Sequence, residues 1–138
     1  MQNHKATVEK FLDALGNGDG ETLATLITED IAAICTGTSM LSATRGYAEV
    51  VGVAGMLKQI TQNGIAFKIL TMTAEADRVS CEAEGTSTLV NGVAYNNQYH
   101  FLFFFRDGKV CKIKEYIDTK LADATLGALM LQSAGQAG

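Results

Sequence analysis

YNNQYHFLFFFRDGKVCKIKEYID, residues 95–118, decides how the chain folds. Two strand-like runs flank Asp107-Gly108, the dipeptide that best supplies the positive φ angles of a tight hairpin. Strand side chains alternate with period two. Tyr95, Asn97, Tyr99, Phe101, Phe103 and Phe105 therefore share one face, and Asn96, Gln98, His100, Leu102, Phe104 and Arg106 the other. The aromatic face begins polar and ends apolar, as in a strand that starts beside a cavity and finishes in a core. In the second run, Cys111, Ile113, Glu115 and Ile117 fall together, which leaves Glu115 as a carboxylate among apolar neighbours.

Working outward, 138 residues at 47% hydrophobic content and a mean hydropathy of +0.11 describe one domain, 1–138, with a real core. No apolar run approaches the roughly 20 residues of a membrane span, so no membrane partner is expected. MQNHKATVEKF lacks the apolar centre of a signal peptide, which points to the cytoplasm. The net charge of −4 argues against nucleic acid, which calls for a clustered basic surface. Cys35, Cys81 and Cys111 are an odd number without C-x-x-C spacing and read as buried free thiols.

Val8, Phe11, Leu12 and Leu15 have the spacing of an amphipathic helix that ends at the breaker cluster Gly16–Gly20. Leu23, Leu26 and Ile27 mark a second, short helix, followed by a short strand at 31–36. Gly37–Thr44 reads as a polar loop. A third helix over 47–62 buries Val50, Val53, Ala54, Leu57, Ile60 and Thr61, and its Gly52 and Gly55 are expected to allow close approach to the sheet. Residues 65–75 form a strand with Phe67, Ile69, Thr71 and Thr73 on one face. Residues 79–90 form the next, with Glu82, Glu84 and Thr86 on one face, and Asn91-Gly92 signals a second hairpin. A last helix runs from Thr119 to Gln132, with Asp118 as its capping acid, and the tail 133–138 is expected to fray.

Chemistry concentrates on few residues. A carboxylate on an apolar face is costly to ionise, so the pKa of Glu115 should rise toward neutrality, where a general base or acid works. The competing reading is an ion pair with Arg45 or Lys68. Tyr99 and Asn97 offer an O–H and an amide N–H for a carbonyl oxygen; against that, Tyr99 reads as a core aromatic. Glu84 becomes a second pocket acid if its face is concave, and otherwise sits on a solvated face. Phe101, Phe103, Ile113, Leu57 and Cys35 are candidate pocket-lining residues. Arg45 is a loop arginine read first as a salt-bridge partner, then as an anion contact. His100, with no second ligand beside it, makes no metal site, and no cofactor is expected.

The pattern Y-x-N-x-Y-x-F-x-F-x-x-x-D-G-K-V followed by K-E-Y-I-D, with Phe11-Leu12-Asp13-Ala14-Leu15 and Gly18-Asp19 upstream, resembles the SnoaL-like branch of the nuclear-transport-factor-2-like superfamily. Ketosteroid isomerase and limonene epoxide hydrolase share that fold. The resemblance runs over about Val8 to Asp118. It implies an α+β fold: a cone-shaped, curved antiparallel sheet packed on N-terminal helices, with a pocket at the open end. It further implies a small hydrophobic ligand and a homodimer, the latter in keeping with the apolar Leu102 and Phe104 on the second face of their strand. The positions that carry catalysis in the isomerases hold Phe11, Cys35 and Phe101 here. Of the epoxide hydrolases' acid–arginine–acid set only Glu115 matches, with Glu84 and Thr86 near the other two positions. Two functions stay open: a cofactor-independent isomerase, cyclase or hydrolase using a buried carboxylate, or a non-catalytic domain that binds a small apolar ligand or dimerises.

Overall fold

The structure, a computed structural model, describes residues 3–137. Helices α1 (His4–Gly16) and α2 (Gly20–Leu26) lead into strands β1 (Ile27–Cys35) and β2 (Ala43–Arg45). Helix α3 (Tyr47–Ile60) then precedes strands β3 (Ala66–Glu75), β4 (Arg78–Thr86), β5 (Asn97–Arg106) and β6 (Lys109–Ile117). The chain closes with α4 (Thr119–Ala122), a π-helical turn (Asp123–Gly127) and α5 (Ala128–Ala137). The six strands form one sheet in the order β2-β1-β6-β5-β4-β3. The fold is α+β, as expected. The β3–β6 body and the β1–β2 pair are antiparallel, while β1 joins β6 in parallel, with Cys35 opposite Glu115.

Local chemistry explains the punctuation. Asn3 caps α1 and Asp19 caps α2, each accepting a backbone N–H of the first turn. Asp118 does the same for α4, its Oδ1 accepting the N–H of Leu121 at 3.1 Å. At the β5–β6 hairpin Asp107 and Gly108 have φ of +52° and +79°, the two positive angles of a type I′ turn.

One face of the sheet holds the main core. Val8, Phe11 and Leu12 of α1 and Val50 and Ala54 of α3 pack with Val79, Cys81, Phe101, Phe103 and Val110. A smaller apolar cluster of Leu89, Tyr95, Ala122, Leu126 and Leu129 sits under the C-terminal helices. The opposite face carries Glu82, Glu84, His100 and Tyr116, all exposed.

Several expectations change. Bulges interrupt two strands. On β3 the pairing shifts between Ile69 and Thr71, so Met72, not Thr71 or Thr73, follows Phe67 and Ile69 onto the core. On β6 the shift opposite Phe104–Phe105 buries Val110 and leaves Cys111 half-exposed. A Cβ added to Gly52 or Gly55 would meet nothing within 4 Å, so neither glycine serves a close approach. The loop expected at 37–44 ends in β2. The strand expected to reach Val90 stops at Thr86, and 87–96 is irregular, held by the isolated bridges Thr61–Leu89 and Thr88–Ala94. The last helix continues beyond Gln132 to Ala137, through most of the segment expected to fray; Gly138 lies outside the described residues.

Candidate functional site

A cavity of about 180 Å³ opens between the inner face of the sheet and the helices. Phe11 and Leu15 of α1, Val53, Met56 and Leu57 of α3, and Leu126 and Met130 of the C-terminal helices wall one side. The sheet supplies Ala33 and Cys35 from β1, Arg45 from β2, Phe67 from β3, Tyr99 and Phe101 from β5, and Ile113, Glu115 and Ile117 from β6. Tyr95 adds to the lining from the irregular segment before β5.

Glu115 is the only carboxylate in this lining. Its side chain points into the cavity because β6 alternates inward from Ile113 to Ile117 once the bulge at Cys111 is passed. Its backbone is fixed between two neighbours: it pairs with Phe101 on β5, and its carbonyl oxygen accepts the N–H and Oγ1–H of Thr36 at 3.0 and 3.1 Å. The carboxyl itself forms no salt bridge within 4.0 Å among the described residues. Burial pushes its pKa up to about 7, with the Arg45 charge pulling the other way. Arg45 is near enough to be felt but does not pair; its Nη2 donates to the carbonyl oxygen of Leu41 at 3.1 Å. Lys68 is exposed on the sheet. Neither ion pair weighed from the sequence forms.

Tyr99 is buried, stacked on Phe101 at 5.3 Å and edge-on to Phe67 at 5.3 Å. Its hydroxyl pKa is pushed well up, first by burial, then by Tyr95 and Glu115. Room for its ring comes from Gly85: a Cβ there would lie 2.8 Å from Tyr99 Cε2.

Asn97 is buried but does not line the cavity. Its Nδ2 donates to Tyr95 Oη at 3.0 Å and to the Asp118 carbonyl oxygen at 3.2 Å. Its Oδ1 accepts the N–H of Gln98 at 2.7 Å and of Asp118 at 3.2 Å. Both amide protons are engaged, so Asn97 clamps the start of β5 to the end of β6 and orients Tyr95, and its N–H is not free for a ligand.

Of the other candidates, Phe101, Ile113, Leu57 and Cys35 line the cavity. Phe103 lies deeper, fully buried and edge-on to Phe11, and does not reach it. Glu84 is exposed on the far face of the sheet and is no second pocket acid. Burial, then the charge of Glu115, pushes the Cys35 thiol up to about 11, so it stays protonated and acts as a small apolar wall. Tyr95 and the wall from Leu126 and Met130 were not singled out from the sequence. Tyr95 had a signal, since the Tyr95-x-Asn97-x-Tyr99 alternation already put it on the polar end of the inner face; the C-terminal wall had none. Among the described residues no cluster of three or more His, Cys, Asp or Glu is placed to hold a metal, and no helix is long and apolar enough to cross a membrane.

This architecture is shared. PrhC from Penicillium brasilianum superposes with a TM-score of 0.82 at 22% identity, over 95% of this chain and 90% of that one. An NTF2-like protein from Burkholderia xenovorans is 27% identical, with a TM-score of 0.70 over 88% of this chain and 95% of that one. IdmH, a candidate polyketide cyclase from Streptomyces antibioticus, is 18% identical, with a TM-score of 0.73 over 91% and 99%. A comparison with curated proteins finds no match. Residues 8–113 match the family model described as SnoaL-like domain, and on that match, most of the chain's length, the protein belongs to the SnoaL-like domain family.

Proposed function

We propose that this protein is a cofactor-independent enzyme of the isomerase, cyclase or hydrolase type, in which Glu115 moves a proton on a small hydrophobic substrate. The observation that carries the reading is the setting of Glu115: a single carboxyl in an apolar cavity, without a salt-bridge partner, poised at about 7. An acid of that strength is populated in both protonation states near neutrality. It can take a proton from carbon or water and return it within one turnover. With a carbonyl substrate the carboxylate removes the α-proton, the C–H electron pair moves into the enolate, and the same carboxyl reprotonates carbon. With an epoxide it takes a proton from the attacking water as the new C–O bond forms and the ring C–O bond breaks, and the proton it holds then returns to the alkoxide oxygen, directly or through water.

The test is deuterium incorporation at the α-carbons of small ketones in heavy water, followed by proton NMR. Wild type is expected to accelerate exchange. Glu115→Gln should lose the acceleration by about 10²- to 10⁴-fold, the range for a general base. Equal exchange by both proteins would leave the other reading, a pocket that binds a small apolar ligand without turning it over. That reading draws support from Asn97, whose amide protons are both engaged within the protein.

A further inference from the structure

Charge accounting at the cavity singles out Arg45. Strand β2 pairs with β1 so that Arg45 stands beside Ala33, and both residues line the cavity with Cys35 and Glu115. Among the described residues Arg45 is the only cation in that lining. A guanidinium carries several N–H donors and no acceptor. Arg45 makes one donation, from Nη2 to the Leu41 carbonyl oxygen at 3.1 Å, and forms no salt bridge among the described residues. Two acids that could have answered it are engaged elsewhere. Glu49 accepts the Gly46 N–H at 3.2 Å at the start of α3. Asp123 accepts the Ser39 hydroxyl at 2.7 Å and the Met40 N–H at 3.0 Å. Arg45 is half-buried, so its charge is neither paired by the protein nor fully given to solvent.

What lies between Arg45 and Glu115 defines the ligand. They stand two strands apart, roughly 10 Å across the sheet, with Ala33 of β1 opposite Arg45 and Cys35 of β1 opposite Glu115. Both β1 side chains are small, so the floor between the two polar groups is low and apolar. A ligand laid on it needs an apolar body and an anionic end. One cation balances one negative charge. A carboxylate meets that need and offers two oxygens to parallel N–H groups, the paired, charge-assisted bond that guanidinium groups favour. A doubly charged phosphate would keep a charge uncompensated within an apolar lining. Size limits the ligand further. A cavity of about 150 Å³ lined by apolar side chains holds one benzene ring. At about 180 Å³ this one fits a single six-membered ring with a few further atoms.

We propose that the cavity binds a hydrophobic monocarboxylic acid of single-ring size, its carboxylate held by Arg45 and its ring lying over Ala33 and Cys35 toward Glu115. That this acid is the substrate rests on Glu115 acting as the base; the pairing of its carboxylate with Arg45 does not. Arg45 then selects which molecules reach Glu115 and sets the reacting carbon about a ring's width from the carboxylate. A neutral analogue of the same shape leaves the guanidinium unpaired, and a site built for a polar group rejects the analogue that lacks it.

The experiment is an NMR titration of nitrogen-15-labelled protein with cyclohexanecarboxylate and with its neutral isostere, cyclohexanecarboxamide. It is run about one pH unit below the Glu115 value of about 7, so that the anion meets a neutral carboxyl. Wild type should bind the carboxylate at least tenfold more tightly than the amide, and the Arg45 Nε–H resonance should move as the carboxylate binds. Arg45→Gln should erase the preference by weakening the carboxylate alone. Arg45→Lys, which keeps the charge without the paired geometry, should keep part of it. The proposal is overturned if wild type takes acid and amide equally, or if Arg45→Gln retains the preference. It is also overturned if the Arg45 resonance stays still while the carboxylate binds, or if inorganic phosphate binds as tightly as the carboxylate. Should Arg45→Gln not fold, the wild-type preference and the Arg45 resonance still decide. The titration does not depend on turnover. A carboxylate preference without α-exchange of ketones would keep Arg45 and sink the proton-transfer role of Glu115, and exchange without the preference would do the reverse.

Discussion

The inner face of β5 has two ends that differ in what opposes them. At the closed end Phe103 lies between Val79 of β4 and Ile113 of β6, with Phe11 edge-on at 5.4 Å, and Phe105 is stacked on His4 at 4.0 Å. At the open end Tyr99 and the preceding Tyr95 face a cavity, and the carboxyl of Glu115 replaces an apolar partner. Both ends follow the same alternation on the same strand. At the closed end α1 fills the space against Phe103 with Phe11, while at the open end α1, α3 and the C-terminal helices wall a space they leave unfilled. The cavity is packing left incomplete in one place, with Tyr95 tied to Asn97 at its edge.

Emptying the closed end should do the greatest damage. Phe103 is wholly buried and touches both α1 and the neighbouring strands, so Phe103→Ala leaves an unfilled hole. A loss of about 3–5 kcal/mol is expected from lost transfer energy plus the new cavity. Phe67→Ala, at the half-buried wall of the open end, should cost less than half of that, since the removed volume joins a space that already exists. Urea unfolding of both variants measures the contrast; equal losses would erase the distinction between the two ends.

The next largest effect separates the ends by pH. Glu115 sits near 4.5 when unfolded and about 7 when folded. Between those values the folded state binds more protons than the unfolded one, so stability falls as pH rises through the window and levels off above it. Below 4.5 the group is neutral in both states and contributes no penalty. At roughly 1.4 kcal/mol per unit the full swing is at most about 3.5 kcal/mol. Glu115→Gln should remove it, so the variant should gain stability relative to wild type between pH 5 and pH 8. A constant difference across that range would mean the carboxyl is not desolvated.

Gly85 acts at the open end alone, where it pairs with Asn97 and borders Tyr99. A Cβ at this position would lie 2.8 Å from Tyr99 Cε2 and 3.0 Å from Ile65 Cγ2, too close for either to stay. Gly85→Ala should therefore cost about 1–3 kcal/mol, as overpacking does, and should tilt Tyr99 toward the cavity. Chemical-shift changes confined to the rings around Phe103 would contradict this; they are expected at Tyr99, Phe67 and Tyr95.

How much of this could be read from the chain follows the same divide. The hairpin at Asp107-Gly108, the aromatic face of β5 and the inward Glu115 were legible because alternation and turn chemistry are local. Thr71, Thr73 and Cys111 were assigned to the wrong face because a bulge shifts the phase of a strand without leaving a mark in the alternation. β2 escaped notice because Ala43-Thr44-Arg45 carries no apolar pattern; its pairing with β1 supplies the order. Asn97 was rightly placed on the inner face, but its amide is committed to Tyr95 and to the Asp118 backbone, and such long-range partners are invisible in a strand pattern.

The smallest expected effect lies on the other side of the sheet. The acid row Glu82 and Glu84 alternates with buried Cys81, Ala83 and Gly85, so β4 presents its carboxylates to solvent while its other face packs on the core. Glu84 resembles Glu115 in type and in strand setting, yet the register puts Gln98 opposite it and nothing apolar over it. Glu84→Gln should change stability by no more than about 0.5 kcal/mol, as an exposed substitution does, and should leave the α-exchange rate at the wild-type value. A loss of exchange comparable to that of Glu115→Gln would mean that the carboxylates on the two faces act together. It would remove the reason for assigning proton transfer to the face that is buried.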